Sequence, residues 1–385
     1  MEVHGLLCDP CILLFMETKG EKMKKIMLVF GTRPEAVKMC PLVKELKSRP
    51  NAETIVCVTG QHREMLDSVL NDFQIDPQYD LCVMKENQTL FDITISVLEK
   101  LNAVLEKETP DIVLVHGDTT TAFAAALACY YKGIAVGHVE AGLRTYCSKS
   151  PFPEEFNRQA VSVIADYHFA PTDSAKENLV REGKREDRIF VTGNTVVDAL
   201  KSTVRADFEH EILDFAAGHR MIFITAHRRE SIGEPMRGMF RAIRRILLAY
   251  PDVRAVYPVH QNPLVRSIAA EELSDLKNLL LTDPLDVVEC HNVIARSFMI
   301  LTDSGGIQEE ATSLGKPVLV MRDTTERPEG VRAGTLFLVG TDEQNIVLHC
   351  SRLLEDPQTY LAVTKIANPY GDGFACRRIA DILLQ

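Results

Sequence analysis

The chain has 385 residues, 46% hydrophobic and 25% charged, and its net charge of −11 excludes a surface built for nucleic acid or anionic membrane. That length exceeds one typical core and suits two domains of ordinary size. Ten cysteines without disulfide-type spacing point to free thiols in a cytoplasmic protein, and the one C-x-x-C, Cys8 to Cys11, lacks the second pair that a zinc site needs.

Residues 1–22 read as a disordered extension ahead of a start at Met23. Their apolar run at 12–16 is far short of the ~20 residues of a membrane span. It also lacks the leading positive charge and small-residue cleavage site of a signal peptide. From Lys24 onward, strand and helix patterns alternate. Residues 26–30 read as a strand, Gly31-Thr-Arg-Pro-Glu35 as a turn, and 36–48 as a helix with Pro34 near its first turn. A strand at 54–59 leads through Gly60-Gln-His-Arg63 into a helix ending near Phe73, and 89–108 form a long amphipathic helix. The strand 112–116 runs into Gly117-Asp-Thr-Thr-Thr121 and an alanine-rich helix to Tyr131. The strand 135–139 runs into Glu140-Ala-Gly-Leu-Arg144. Residues 145–157 are a polar loop holding Pro151-Phe-Pro-Glu-Glu155, and 167–170 and 189–192 supply two more strands. Residues 200–218 are a connector to a second series of strands at 221–225, 254–259, 279–281, 298–301 and 317–320.

Apolar strands separated by helices call for parallel sheets covered on both faces, so the fold class is α/β with two doubly wound domains. Ligands in such sheets bind at the carboxyl ends of strands. Arg33, His62, Asp118, Glu140, His227, His260 and Ser304 all fall there. Neither half carries G-x-G-x-x-G or G-x-x-x-x-G-K-[ST], which leaves NAD and P-loop nucleotide chemistry unsupported.

The stretch from Ile300 to Val320 organises the rest: strand, glycine turn, helix, strand. Ser304 is placed to cap the helix, Gly305 and Gly306 open backbone to a ligand, and Gly315 and Pro317 stop it. A helix opening on two glycines offers free N–H groups and a positive dipole end to a phosphate. Glu309 and Glu310 stand where an acid reaches ribose hydroxyls. The charged run from Arg322 through Arg327 to Gly330 would be costly after a buried strand without a charged ligand.

In the first domain, Arg33 and Lys38 are candidates to meet a diphosphate or other acidic group, the alternative being a surface pair between Arg33 and Glu35. Asp118 and Glu140 each follow a buried strand, and such pairs do acid–base work when their surroundings split their proton affinities. The alternative is two helix-capping acids. Glu154 is a third candidate, against a solvated loop face. His227, with Arg228 and Arg229, suits an anion, and His260 ends the next strand.

Taken in order, Gly31-Thr-Arg-Pro-Glu35, Gln61-His-Arg63, Val115-His-Gly-Asp-Thr-Thr-Thr121, Gly137-His-Val-Glu-Ala-Gly-Leu-Arg-Thr145, Phe152-Pro-Glu-Glu155, His227-Arg-Arg-Glu230, Tyr257-Pro-Val-His260, Asp303-Ser-Gly-Gly306 and the run from Arg322 to Glu329 strongly resemble the bacterial non-hydrolysing UDP-N-acetylglucosamine 2-epimerases. The match spans Lys24 to the region beyond Gly373. The resemblance implies GT-B architecture: two Rossmann-like domains facing each other across a cleft, 23–198 and 199–372, with residues 373–385 rejoining the first. It implies reversible conversion of UDP-GlcNAc to UDP-ManNAc through a 2-acetamidoglucal for cell-surface polysaccharide precursors, with no metal and no cofactor.

By resemblance the acid–base groups come from Asp118, Glu140 and Glu154. Ser304, Gly305, Gly306, Arg33, Lys38 and His227 stabilise the leaving diphosphate, Glu310 holds ribose and Arg327 makes a further nucleotide contact. Members of this family are usually dimeric and are activated by their own substrate at a neighbouring site, which Gln61, Glu64, Glu154, Arg228 and His260 match. Asn87 replaces an arginine of some activated members, and Cys290 replaces a phenylalanine near the uracil. The rival readings are a hydrolysing epimerase that releases ManNAc and UDP, a retaining glycosyltransferase, and a nucleotide-sugar-binding regulator.

Overall fold

The computed structural model describes residues 23–60, 63–85 and 88–385. The expectations for residues 1–22, including Cys8 and Cys11, and for Gln61, His62, Asn87 and the side chain of Glu64 lie outside what is described. The first domain opens with β1 (Lys24–Phe30), α1 (Arg33–Lys47), β2 (Ala52–Val58), α2 (Arg63–Asp72) and β3 (Tyr79–Asp80). It continues with α3 (Leu90–Glu108), β4 (Ile112–His116), α4 (Thr120–Lys132), β5 (Ala135–Val139) and α5 (Glu154–Ile164). Then come β6 (Tyr167–Ala170), α6 (Asp173–Arg181), β7 (Ile189–Val191) and α7 (Thr195–Thr203).

The second domain holds α8 (Glu211–Ala216), β8 (Arg220–Thr225), α9 (Glu234–Ala249), β9 (Val253–Pro258), α10 (Pro263–Leu273) and β10 (Leu279–Thr282). It proceeds through α11 (Val287–Arg296), β11 (Met299–Thr302), α12 (Gly305–Ser313), β12 (Val318–Val320), α13 (Pro328–Ala333) and β13 (Leu336–Leu338). The chain ends in α14 (Glu343–Glu355), α15 (Pro357–Thr364) and α16 (Ala375–Leu383). The connector expected at 200–218 contains the end of α7 and all of α8, whose Ile212 is buried against the second sheet. Strands β3 and β13, of 2 and 3 residues, are too short for any periodicity to mark.

Both sheets are parallel, ordered β3-β2-β1-β4-β5-β6-β7 and β10-β9-β8-β11-β12-β13. In β1, Ile26, Leu28 and Phe30 enter one core while Met27 and Val29 enter the core on the other face. A strand buried on both faces must be apolar throughout, and each such side chain contributes about 1.5–3 kcal/mol of burial. In each sheet the strand order reverses once, between β1 and β4 and between β8 and β11. Loops leaving those neighbours diverge to opposite faces, and a crevice opens between them.

The C-terminal helix α16 packs on the first domain: Ile379, Ala380 and Leu383 join the core beneath α1, and Arg49 pairs with Asp381 at 2.7 Å. Its first turn is held by Asp198, which accepts from Ala375 N at 3.1 Å and Cys376 N at 3.0 Å. The domains also meet where Arg33 donates to the Leu285 carbonyl at 3.0 Å. Among the described residues, no helix is long and apolar enough to cross a membrane.

Candidate active site

The two crevices face one another and enclose a cavity of 640 Å³ lined by residues of both domains. On the first-domain wall, Gly31 must be glycine, because a Cβ there would lie 1.9 Å from Thr59 Oγ1. Glu35 is buried and accepts from Gly31 N at 3.0 Å and from Thr32 N, Thr32 Oγ1 and Thr119 Oγ1, each at 2.8 Å. The alternative of an Arg33–Glu35 surface pair is therefore set aside, and Arg33 lines the cavity.

Lys38, expected to meet a diphosphate, lines the cavity just over one helical turn from Arg33. Its ammonium is buried and donates to Glu140 and, across the domain gap, to Glu309 Oε2 at 2.9 Å. Glu140 follows β5 in the left-handed region, φ 64°, a conformation that costs a non-glycine residue about 1 kcal/mol or more and clusters at functional sites. Its Oε2 also accepts from Asn194 Nδ2 at 3.0 Å, and His116 Nε2 lies 3.7 Å away. Burial, the largest single effect, works against ionisation, but Lys38 and the other positive neighbours, Arg327 among them, together outweigh it and hold the Glu140 carboxyl well below the usual range.

Asp118 lies beyond β4 and pairs with Arg158 of α5, four residues after Glu154. Here burial wins over the guanidinium, and the Asp118 carboxyl is pushed up. The alternative of two helix-capping acids fails, since the N-caps of α4 and α5, the helices that follow these two acids, are Thr119 and Pro153. Glu154 begins α5 and lines the cavity beside Pro151 and Pro153, in a helix rather than the expected loop. Its neighbour Glu155 is fully buried and accepts from Thr145 N and Tyr146 N at 3.0 Å, a structural duty.

On the second wall, Asp303 Oδ2 accepts from His227 N at 2.6 Å and Arg228 N at 2.8 Å, fixing the turn after β8. His227 Nδ1 lies 3.4 Å from Asp303 Oδ1. Burial lowers the His227 pKa in spite of that carboxylate, so the ring faces the cavity neutral near pH 7. Arg228 lines the cavity, while exposed His260 stacks on His227 with centroids 5.4 Å apart.

Ser304, Gly305 and Gly306 begin α12 at the cavity wall. The Ser304 side chain does not cap the helix as expected; its backbone N–H donates to Thr302 Oγ1 at 2.9 Å instead. The first N–H groups of the helix have no partner within it and point at the cavity. A Cβ on Gly305 would lie 3.6 Å from the Arg327 guanidinium, which places that cation beside the turn.

The expectation that Glu309 and Glu310 both reach ribose is corrected. Consecutive helical residues point about 100° apart. Glu310 lines the cavity, with Oε2 3.6 Å from His291 Nε2; burial, the largest single effect, works against ionisation, but His291, Lys38 and Arg33 together hold its carboxyl below the usual range. Glu309 turns inward, between Lys38 and Arg327 Nε at 2.7 Å. Cys290 of α11 lines the cavity, its thiol pushed up by burial.

Arg158, Asn194 and His291 are site residues that motif reading passed over. Only Arg158 left a trace, one helical turn beyond Glu154.

A sequence model described as UDP-N-acetylglucosamine 2-epimerase matches residues 44–384. The UDP-N-acetylglucosamine 2-epimerase of Bacillus subtilis (strain 168) is 58% identical over 363 residues, 94% of this chain and 96% of its own. This chain belongs to the UDP-N-acetylglucosamine 2-epimerase family. Family membership makes it an isomerase, and its two facing Rossmann-like domains have GT-B architecture. A Neisseria meningitidis UDP-GlcNAc 2-epimerase solved bound to UDP-GlcNAc superimposes with a TM-score of 0.88 at 48% identity, covering 94% of this chain and 99% of that one. An S. aureus protein solved with UDP gives the same TM-score at 53% identity, covering 94% and 96%.

Proposed function

We propose that the protein interconverts UDP-GlcNAc and UDP-ManNAc without net hydrolysis, by eliminating UDP and adding it back. One observation carries the mechanism. Asp118 and Glu140 line one cavity with their proton affinities displaced in opposite directions, opposite a helix start with Arg327 beside it. The C2 hydrogen of the sugar is not adjacent to a carbonyl, so its acidity must come from cleavage of the C1–O bond.

That bond breaks with its electron pair going to the β-phosphate oxygen of UDP, and C1 gains oxocarbenium character. The N–H groups at Gly305 and Gly306, with Arg327, Arg33 and His227, stabilise the charge on the diphosphate, the largest contribution expected in such a step. Glu310 holds the ribose. An ionised carboxylate takes the C2 proton, leaving the C1=C2 bond of a 2-acetamidoglucal. A protonated acid returns a proton to the opposite face of C2, and UDP oxygen re-forms the bond at C1. The raised affinity of Asp118 suits the donor and the ionised state of Glu140 suits the acceptor in one direction; the reverse direction exchanges the roles. Glu154, at the mouth beside Pro153, completes the acid set.

UDP-ManNAc made in this way supplies precursors of bacterial cell-surface polysaccharide. Arg228 and His260, next to His227, support a second UDP-GlcNAc as activator, and the active form is a dimer. Incubation of either nucleotide sugar with the protein, followed by 31P NMR, tests the reading. The expected result is one equilibrium mixture reached from both sides with the nucleotide sugars intact. Stoichiometric release of UDP and free ManNAc would replace it with the hydrolysing reading.

A further inference from the structure

The steps above leave one buried carboxylate without a task. Glu309 is 1% exposed and lies between two cations, Lys38 Nζ at 2.9 Å and Arg327 Nε at 2.7 Å. Lys38 in turn donates to Glu140. The four side chains form a line of alternating charge, Glu140, Lys38, Glu309, Arg327, that runs from the C2 acid to the phosphate-facing turn and crosses between domains. Their formal charges cancel, and each inner member divides its attraction between two neighbours. Resting on the epimerase reading, we infer that Glu309 is a positioning residue that couples negative charge at the diphosphate to the basicity of Glu140.

Electrostatics sets the direction. A diphosphate beside Gly305 draws on the Arg327 guanidinium and weakens its hold on Glu309. Glu309 then pairs more fully with Lys38, and Lys38 holds Glu140 less. Glu140 thus becomes more basic as charge builds on departing UDP, when C2 must lose its proton. Such coupling is strong in a buried site because little water screens it. The groups facing Glu140 are Lys38 from α1, His116 from β4, Asp118 beyond β4 and Arg327 from the second domain, with Asn194 neutral. Burial lowers the His116 pKa to about 4, so that ring is neutral and Lys38 is the deciding cation.

Glu309→Gln leaves Arg327 buried without its carboxylate and Lys38 with Glu140 alone. By isothermal titration the variant should bind UDP about tenfold more tightly, while kcat falls by about a hundredfold or more. Glu309→Asp keeps the charge and should bind UDP much as wild type does, with kcat above that of the Gln variant. A merely structural role would weaken both binding and turnover, so unchanged or weaker UDP binding by the Gln variant overturns the inference. If that variant does not fold, the wild type decides. The acid limb of kcat, which reports the complex, should lie at higher pH than that of kcat/KM, which reports the free enzyme. Limbs that coincide or fall in the reverse order overturn it. A wild type that makes no UDP-ManNAc overturns the epimerase reading instead, and the UDP titrations still judge the charge coupling.

Discussion

The Thr119 hydroxyl donates to Glu35 Oε1 at 2.8 Å, tying the turn that carries Asp118 to the turn that carries Arg33. Burial pushes the Glu35 carboxyl up to about 7, against four hydrogen bonds that favour the anion. The unfolded chain releases the same proton near pH ~4.3. Between those values the folded state holds a proton that the unfolded state has lost, so this group's contribution is full below the unfolded pKa and declines as pH rises through 7. Glu35→Gln removes that slope. Denaturant titrations from pH 5 to 8 should show wild type losing stability relative to the variant as pH rises; a difference flat with pH would contradict the assignment.

Asp118→Asn and Glu140→Gln should each lower kcat by about 10²–10⁴-fold, the range for a positioned acid or base, with UDP affinity largely kept. Steady-state turnover paired with UDP titration reads both quantities. A variant with near-normal kcat removes that residue from the proton transfers.

Two glycines separate packing from binding. A Cβ at Gly31 would meet Thr59 Oγ1 at 1.9 Å, so Gly31→Ala should cost about 1–3 kcal/mol of stability. A Cβ at Gly305 has room, 3.6 Å from Arg327, but stands between that guanidinium and the space assigned to phosphate. Gly305→Ala should melt like wild type and bind UDP about tenfold more weakly, a loss of about 1.4 kcal/mol. Equal UDP affinity would place the diphosphate elsewhere.

The activator reading predicts a sigmoidal dependence of rate on UDP-GlcNAc. Because His260 stacks on His227 at 5.4 Å, its loss in His260→Ala should make the curve hyperbolic. A wild-type curve already hyperbolic would remove the second site.

Much of this arrangement was legible from sequence, and the physical reason is local. Buried parallel strands are apolar from end to end, so a polar residue such as Asp118, Glu140 or His227 at a strand end stands out at once. The glycine pair before Glu310 is equally plain. Partners distant in sequence were not legible: nothing around Lys38 announces Glu309, 271 residues away, and nothing around Glu140 announces Asn194. Glu309 and Glu310 look alike in the chain, and only the helical phase sends one to the cavity and the other to a buried pair. Strands of two or three residues carry no period, and a helix such as α8 inside a connector is anchored by a single buried face.

The central claim is that C1–O cleavage and re-formation let C2 exchange its proton inside the cavity. Incubation of UDP-GlcNAc with the protein in D2O, followed by mass spectrometry and proton NMR at C2, tests it most directly. The account predicts deuterium at C2 of the UDP-ManNAc formed and of the UDP-GlcNAc regenerated from it. Full equilibration with C2 unlabelled in both sugars would contradict it.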